Sequence, residues 1–176
     1  MGDGGTKDAL LATLRAERAG WEALIGDVGP ERLAEPGVAG NWSVKDVLAH
    51  LAAFQRAWGA RLRWAATGVP PTTREMFDVD ALPEGAETWT EDQQNAAIHV
   101  QYASLAPPAV LAMWRETDDG LTDGVAALPE DDLTTPGRFP WADERSLAEA
   151  MAGDTYRHAR EHAAGVRAWL GRGDAG

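Results

Sequence analysis

Two histidines stand four residues apart near the C-terminal end of the chain, in Thr155-Tyr156-Arg157-His158-Ala159-Arg160-Glu161-His162. On a helix this spacing stacks both imidazoles on one face, within reach of a single metal ion. A third histidine, His50, lies far upstream in Asn41-Trp42-Ser43-Val44-Lys45-Asp46-Val47-Leu48-Ala49-His50-Leu51. The chain holds only four histidines, so three of them in these places point to a site. Three inward imidazoles bound to a divalent ion, zinc or nickel, would leave a position open for water, as catalytic rather than structural sites do. The alternative is a set of core histidines hydrogen-bonded across the interior. Asp46 and Asp154 each lie four residues before one of these histidines and are candidates to accept a ring N–H from outside the ligand set. For Asp46 a helix-capping role is an equal reading. Glu161 is adjacent to a histidine in sequence but points to another face and reads as solvated. No glutamate directly follows His158, so the pair is not the zinc-protease motif. The fourth histidine, His99, reads as a surface or packing residue.

The elements that must position these residues read as helices separated by Pro- and Gly-marked loops, with no alternating strand pattern of useful length. A first helix spans about Thr6 to Asp27, with Leu10, Leu11, Leu14, Trp21, Leu24 and Ile25 at helical spacing, and Gly29-Pro30 stops it. A loop, Glu35 to Gly40, follows. The second helix starts at Ser43, with Asp46 as the acid of a capping box and Trp42 and Val47 as a hydrophobic staple. It ends near Ala66. Residues 68–89 form a long loop, and Thr90-Glu91-Asp92-Gln93 opens a shorter helix to about Ala103. Pro107-Pro108 starts the third long helix, which runs to Pro129. Ser146-Leu147-Ala148-Glu149 opens the fourth, which ends at Leu170 before Gly171.

Four long amphipathic helices with a long connection between the second and third specify an all-α, up-down-down-up four-helix bundle, whose crossover carries an extra short helix. Helix heights test whether the histidines meet. His50 is seven residues into the second helix, roughly 10 Å at 1.5 Å per residue. With the fourth helix antiparallel to the second, the matching level falls near residue 163, beside His158 and His162. Glu17 and Arg18 interrupt the apolar stripe of the first helix; one of them enters the cavity, or they form a snorkelling pair. Trp21, Trp58, Trp114 and Trp169 fall at core positions. Trp42, Trp89 and Trp141 lie in loops or helix starts, where they are candidates for a pocket mouth.

At 176 residues the chain reads as a single domain, 1–176, long enough to bury a core without staples. It has no cysteine, which excludes disulfides and thiolate chemistry of its own. No apolar run approaches the roughly 20 residues of a membrane span. Met1 to Gly5 lack the features of a signal peptide, so a cytoplasmic location is expected. The formal net charge of −12 argues against nucleic acid and against anionic membranes as partners.

Gly40-Asn41-Trp42-Ser43-Val44-Lys45-Asp46-Val47-Leu48-Ala49-His50-Leu51 resembles the G-W-S-v-k-e-v-l-a-H-l signature of the DinB/YfiT-like superfamily. The closing His158-Ala159-Arg160-Glu161-His162 fits its H-x-x-x-H end. Trp89, Asn95-Ala96-Ala97-Ile98, Tyr102, Val166 and Trp169-Leu170 look like the ClbS/DfsB branch. The resemblance implies an up-down-down-up bundle, often dimeric, with a divalent metal on His50, His158 and His162. It also implies a choice of activities: a metal-dependent hydrolase, or a transferase or isomerase using a low-molecular-weight thiol, acting on a small electrophile, with detoxification as one setting. The competing expectations are a non-catalytic bundle that binds a small molecule or a partner protein, and a homodimeric stress protein with a structural metal.

Overall fold

A computed structural model describes residues 6–173; Met1 to Gly5, read above for a targeting signal, lie outside them. Four long helical rods form the molecule. They are α1 (Lys7–Val28), α2 (Val44–Thr67), α5 (Pro107–Ala127) and a fourth rod made of α7 (Leu147–Ala152), a π-helical turn (Gly153–Arg157) and α8 (His158–Gly173). Each start is chemically signalled. Thr6 Oγ1 accepts from Ala9 N, reciprocal capping boxes form at Ser43 with Asp46 and at Ser146 with Glu149, and α5 begins on two prolines.

Side-chain pairs give the directions. Gln55 meets Asp118 and Leu62 faces Gly124, so α2 and α5 run parallel. Arg18 meets Asp118 and Glu22 meets Arg115, so α1 opposes α5. His50 meets His158 and Trp58 meets Asp154, so α8 opposes α2. The bundle is up-down-down-up. Around it the order is α2, α5, α1, α8, which puts the sequence neighbours α1 and α2 on a diagonal rather than side by side.

The connections hold more structure than expected. The segment read as a loop before α2 is a small antiparallel hairpin, β1 (Pro36–Ala39) with β2 (Trp42–Ser43). Gly40, at φ +60°, turns it, and four residues are too few for an alternating pattern to be legible. The long crossover carries α3 (Thr73–Phe77) and α4 (Glu91–Tyr102), both opened by capping boxes. After α5 comes α6 (Glu130–Thr134).

Two apolar clusters fill the bundle. One gathers Trp21, Leu48, Leu51, Val110, Trp114 and Val166; the other gathers Leu14, Trp58, Leu62, Leu121, Leu147 and Met151. Between them, α1, α2 and α5 place a hydrogen-bonded polar belt. Gln55 Nε2 donates to Asp118 Oδ1 at 2.9 Å, Thr117 Oγ1 donates to Gln55 Oε1 at 3.0 Å, and Arg18 Nη1 donates to Asp118 Oδ2 at 2.9 Å. Burial pushes the Asp118 carboxyl above its ordinary value, and the Arg18 guanidinium opposes the shift.

The α2–α5 crossing is close at one level. A Cβ added to Gly124 would lie 3.0 Å from Leu62 Cδ1, whereas at Gly120 nothing stands within 4 Å. Gly120→Ala is therefore expected to stabilise by about 0.5–1 kcal/mol through helix propensity. Gly124→Val should cost about 1–3 kcal/mol by overpacking against Leu62. Urea midpoints moving in opposite directions check this; a raised midpoint in both variants would contradict the tight crossing.

Candidate metal centre

His50 is brought inward by α2 and is 2% exposed. His158 and His162 are half-buried on α8. Their phase on that helix is set by the π-helical turn just before them. Up to Ala152 the buried residues of this rod are Leu147, Ala148, Ala150, Met151 and Ala152; within the turn they are Thr155 and Tyr156, and beyond it Ala159, Ala163, Val166 and Trp169. The extra residue of a π turn rotates everything that follows. It leaves His158 and His162 on the edge of the stripe, one position before the buried Ala159 and Ala163.

All three histidines present Nε2 to a common point, and their candidate donor atoms lie within 4.8 Å of one another. His158 Nε2 is 2.8 Å from His50 Nε2 and 2.8 Å from His162 Nε2. Rings close round them. Phe54 sits 4.9 Å from His50 and 5.0 Å from His158, centroid to centroid, and Trp42 meets His50 edge-on at 5.3 Å. Burial pushes the His50 imidazole down to about 3, with charge on His158 and His162 adding to the effect. Burial likewise takes His162 to about 4, followed by His158. His158 is also lowered by burial, opposed by the charges of Glu161, Asp154 and Glu91. All three are neutral near pH 7, the form that ligates metals.

Hydrogen bonding alone does not satisfy this arrangement. An imidazole nitrogen is either an N–H donor or a one-lone-pair acceptor. His158 Nε2 faces two partners, so it can form one full hydrogen bond and leaves the other contact unserved. A cation accepts all three lone pairs together. Two nitrogens on a tetrahedral zinc, each about 2.0–2.1 Å from it, stand about 3.4 Å apart, so the two close pairs need to open by only about half an ångström. The donor set fits a divalent metal.

The other nominated residues distribute differently. Asp46 does not reach His50. Its Oδ2 accepts from Ser43 N at 2.9 Å and from Ser43 Oγ at 2.7 Å. Burial works against its charge, but these bonds outweigh it and hold the carboxyl below its ordinary value. His50 Nδ1 is buried without a hydrogen-bond partner. Asp154 Oδ2 accepts from Trp58 Nε1 at 2.9 Å, so it touches His158 only through its charge. Glu17 accepts from Arg160, and Glu17 and Arg18 both line a small cavity with Gln55, Asp118 and Tyr156, where the Arg18 guanidinium lies 4.6 Å above Trp114. Trp42 lies against His50 at the edge of the cluster. His99 stacks on Trp42 at 5.3 Å with ring planes 9° apart and stands 3.7 Å from Asp46. Phe54 and Glu91 were not singled out by the sequence. The i, i+4 step from His50 to Phe54 was the available signal for the first, and nothing local marks the second.

Among solved structures, an uncharacterised protein from Escherichia coli UTI89 superimposes with a TM-score of 0.75 at 16% identity, covering 96% of this chain and 95% of that one. DfsB, a sibling lethal factor precursor, gives 0.74 at 14% identity and 96% of each chain. The colibactin self-resistance protein ClbS, crystallised with double-stranded DNA, gives 0.72 at 14% identity over 92% of this chain and 93% of that one. No curated protein matches the chain. The ClbS complex overturns the expectation that charge excludes nucleic acid, since a protein of this fold is found on a DNA duplex. Net charge averages over the whole surface, while phosphates meet local patches. No described helix is long and apolar enough to cross a membrane. Matched over residues 13–165 by the sequence profile of that family, the chain belongs to the DinB superfamily.

Proposed function

We propose that His50, His158 and His162 hold a divalent metal, zinc or nickel, and that the protein is a metal-dependent enzyme acting on a small electrophile. The observation that carries this reading is the convergence of three Nε2 atoms on one point. When bound there, the metal supplies Lewis acidity, which makes a water or a low-molecular-weight thiol nucleophilic near pH 7. The protein's own residues do the rest. His50 anchors the centre from the rigid interior of α2. Phe54 and Trp42 wall the cluster with apolar rings, excluding bulk water and offering faces against which a substrate can lie. Hydrolysis and thiol transfer are both open to such a centre, and detoxification in the cytoplasm is the setting we favour.

A second reading draws on two structural neighbours. The names of DfsB and ClbS connect them with a lethal factor and with self-resistance, which favours protection by binding, in a ClbS/DfsB-like branch, with a structural metal or none. Metal analysis of protein purified without a nickel column separates the readings when combined with turnover of an epoxide, in water and with a small thiol. Stoichiometric zinc or nickel and metal-dependent turnover are expected, both lost in His158→Ala. Stoichiometric metal without turnover would leave the protective reading, for which the toxin class and duplex DNA are the ligands to assay. Absence of metal would remove the enzymatic one.

A further inference from the structure

A groove runs beside the π-helical turn, on the side of the α2–α8 interface away from the three histidines. Its lining includes Trp58 and Asp154, hydrogen-bonded to each other one helical turn from Phe54 and His158 respectively, and includes none of the three histidines. Its far wall is the segment between α6 and α7, which contributes Trp141; this ring stacks on Trp64 of α2 at 5.0 Å with planes 13° apart.

The charges on this groove are unevenly engaged. Asp154 is held by Trp58, and Glu149 is held by the Ser146 cap. Arg145 stands 3.6 Å from Asp143. Arg61 is half-buried, lies 5.2 Å over the Trp58 ring, and has no carboxylate within ion-pair distance among the described residues. Arg157 lines the same groove, its guanidinium 5.9 Å from the centre of the Tyr156 ring, and has no carboxylate within ion-pair distance among the described residues. A half-buried guanidinium without a carboxylate partner is costly; burial pushes it below its ordinary value while the charge of Asp154 opposes this. Glu144 lines the groove as well, so its three carboxylates match its three arginines; in a chain of net charge −12, a balanced lining with Arg61 and Arg157 outside any ion pair is a local exception to the acidic surface.

We propose that this groove is a binding site for a small planar anion, an aromatic carboxylate or its sulfonate or phosphate equivalent, held by Arg61 and Arg157 with its ring against Trp58 and Trp141. The guanidinium fork matches two oxygens of such a group, and an indole face takes the flat apolar part. The site is separate from the three histidines and stands whether or not they bind metal.

Naphthoate is the probe, with neutral naphthamide as its uncharged match, followed by calorimetry and by the indole N–H resonances of wild-type protein. Naphthoate is expected to bind at least tenfold more tightly than naphthamide, since only the carboxylate takes charge-assisted hydrogen bonds from the guanidiniums. The indole signals of Trp58 and Trp141 should move while that of Trp42, beside His50, stays. Arg61→Gln should weaken naphthoate by about tenfold. The proposal is overturned if naphthamide binds equally well, if Trp42 moves in place of Trp58 and Trp141, or if no binding is seen. The resonance test uses unaltered protein, so a folding defect in Arg61→Gln would not rescue a negative result.

Discussion

Saturating metal-free protein with zinc is expected to raise its melting temperature by about 10 °C, and His158→Ala is expected to abolish the rise. The size follows from linkage. A ligand at a thousand times its dissociation constant adds about 4 kcal/mol to the native state, and a chain of this length gains about 2–4 °C per kcal/mol. His158 is the residue to remove because its Nε2 is the one that stands 2.8 Å from both of the others. His99→Ala serves as the control. That ring lies against Trp42 and Asp46, outside the converging set, and the variant should keep the full zinc response. An equal rise in His158→Ala and wild type would place the metal elsewhere. No rise in wild type would return the cluster to the hydrogen-bonded alternative, in which one of the two close nitrogen contacts has no proton to share.

Local chemistry was the legible part of this chain. Ser43, Thr90 and Ser146 all cap helices as their sequences indicate, because a capping box is complete within four residues. Thr72-Thr73-Arg74-Glu75 carries the same pattern and opens α3, so that short helix inside the long loop was readable too. The level match of His50 with His158 and His162 was legible because rise per residue converts sequence into height. Long-range partners were not. Asp46 sits where it could serve either its cap or His50, and only the folded geometry decides for Ser43. Glu17 finds Arg160 from across the bundle. The order α2, α5, α1, α8 depends on which stripes interlock, and helix directions alone do not determine it. The π-helical turn was hidden for a related reason. An α-helical stripe drawn through Asp154 or Thr155 reaches His158 and His162 as core positions, and the inserted residue moves them to its edge, where they are half-exposed. A fully buried pair would bind metal but could not present it.

The metal-free protein should lose stability steeply as the pH falls from 6.5 toward 4.5. His50 and His162 have folded values of about 3 and about 4, depressed by burial from an ordinary 6.5. Below pH 6.5 the unfolded chain therefore takes up protons that the folded chain refuses, and stability rises with pH across this range. Each such histidine contributes a slope of about 1.4 kcal/mol per pH unit, so the two together give about 2.7. The stability these neutral rings confer is complete above 6.5 and is lost as the pH falls through the folded values. Carboxylates held low by their caps, Asp46 and Glu149, add a slope of the same sign only near and below their unfolded values of about 4. Asp118, raised by burial, acts with the opposite sign from there upward. The interval from pH 6 to 5 thus belongs mainly to the histidines. Urea denaturation in the presence of a chelator measures the slope directly, and His50→Gln should remove about half of it. Equal slopes in variant and wild type would mean that His50 titrates normally and is not shielded as its burial implies. The chelator matters because bound metal competes with the same protons and would steepen the profile. The depressed affinity for protons and the proposed affinity for metal meet in one property: burial keeps the three imidazoles neutral, the form that ligates a cation.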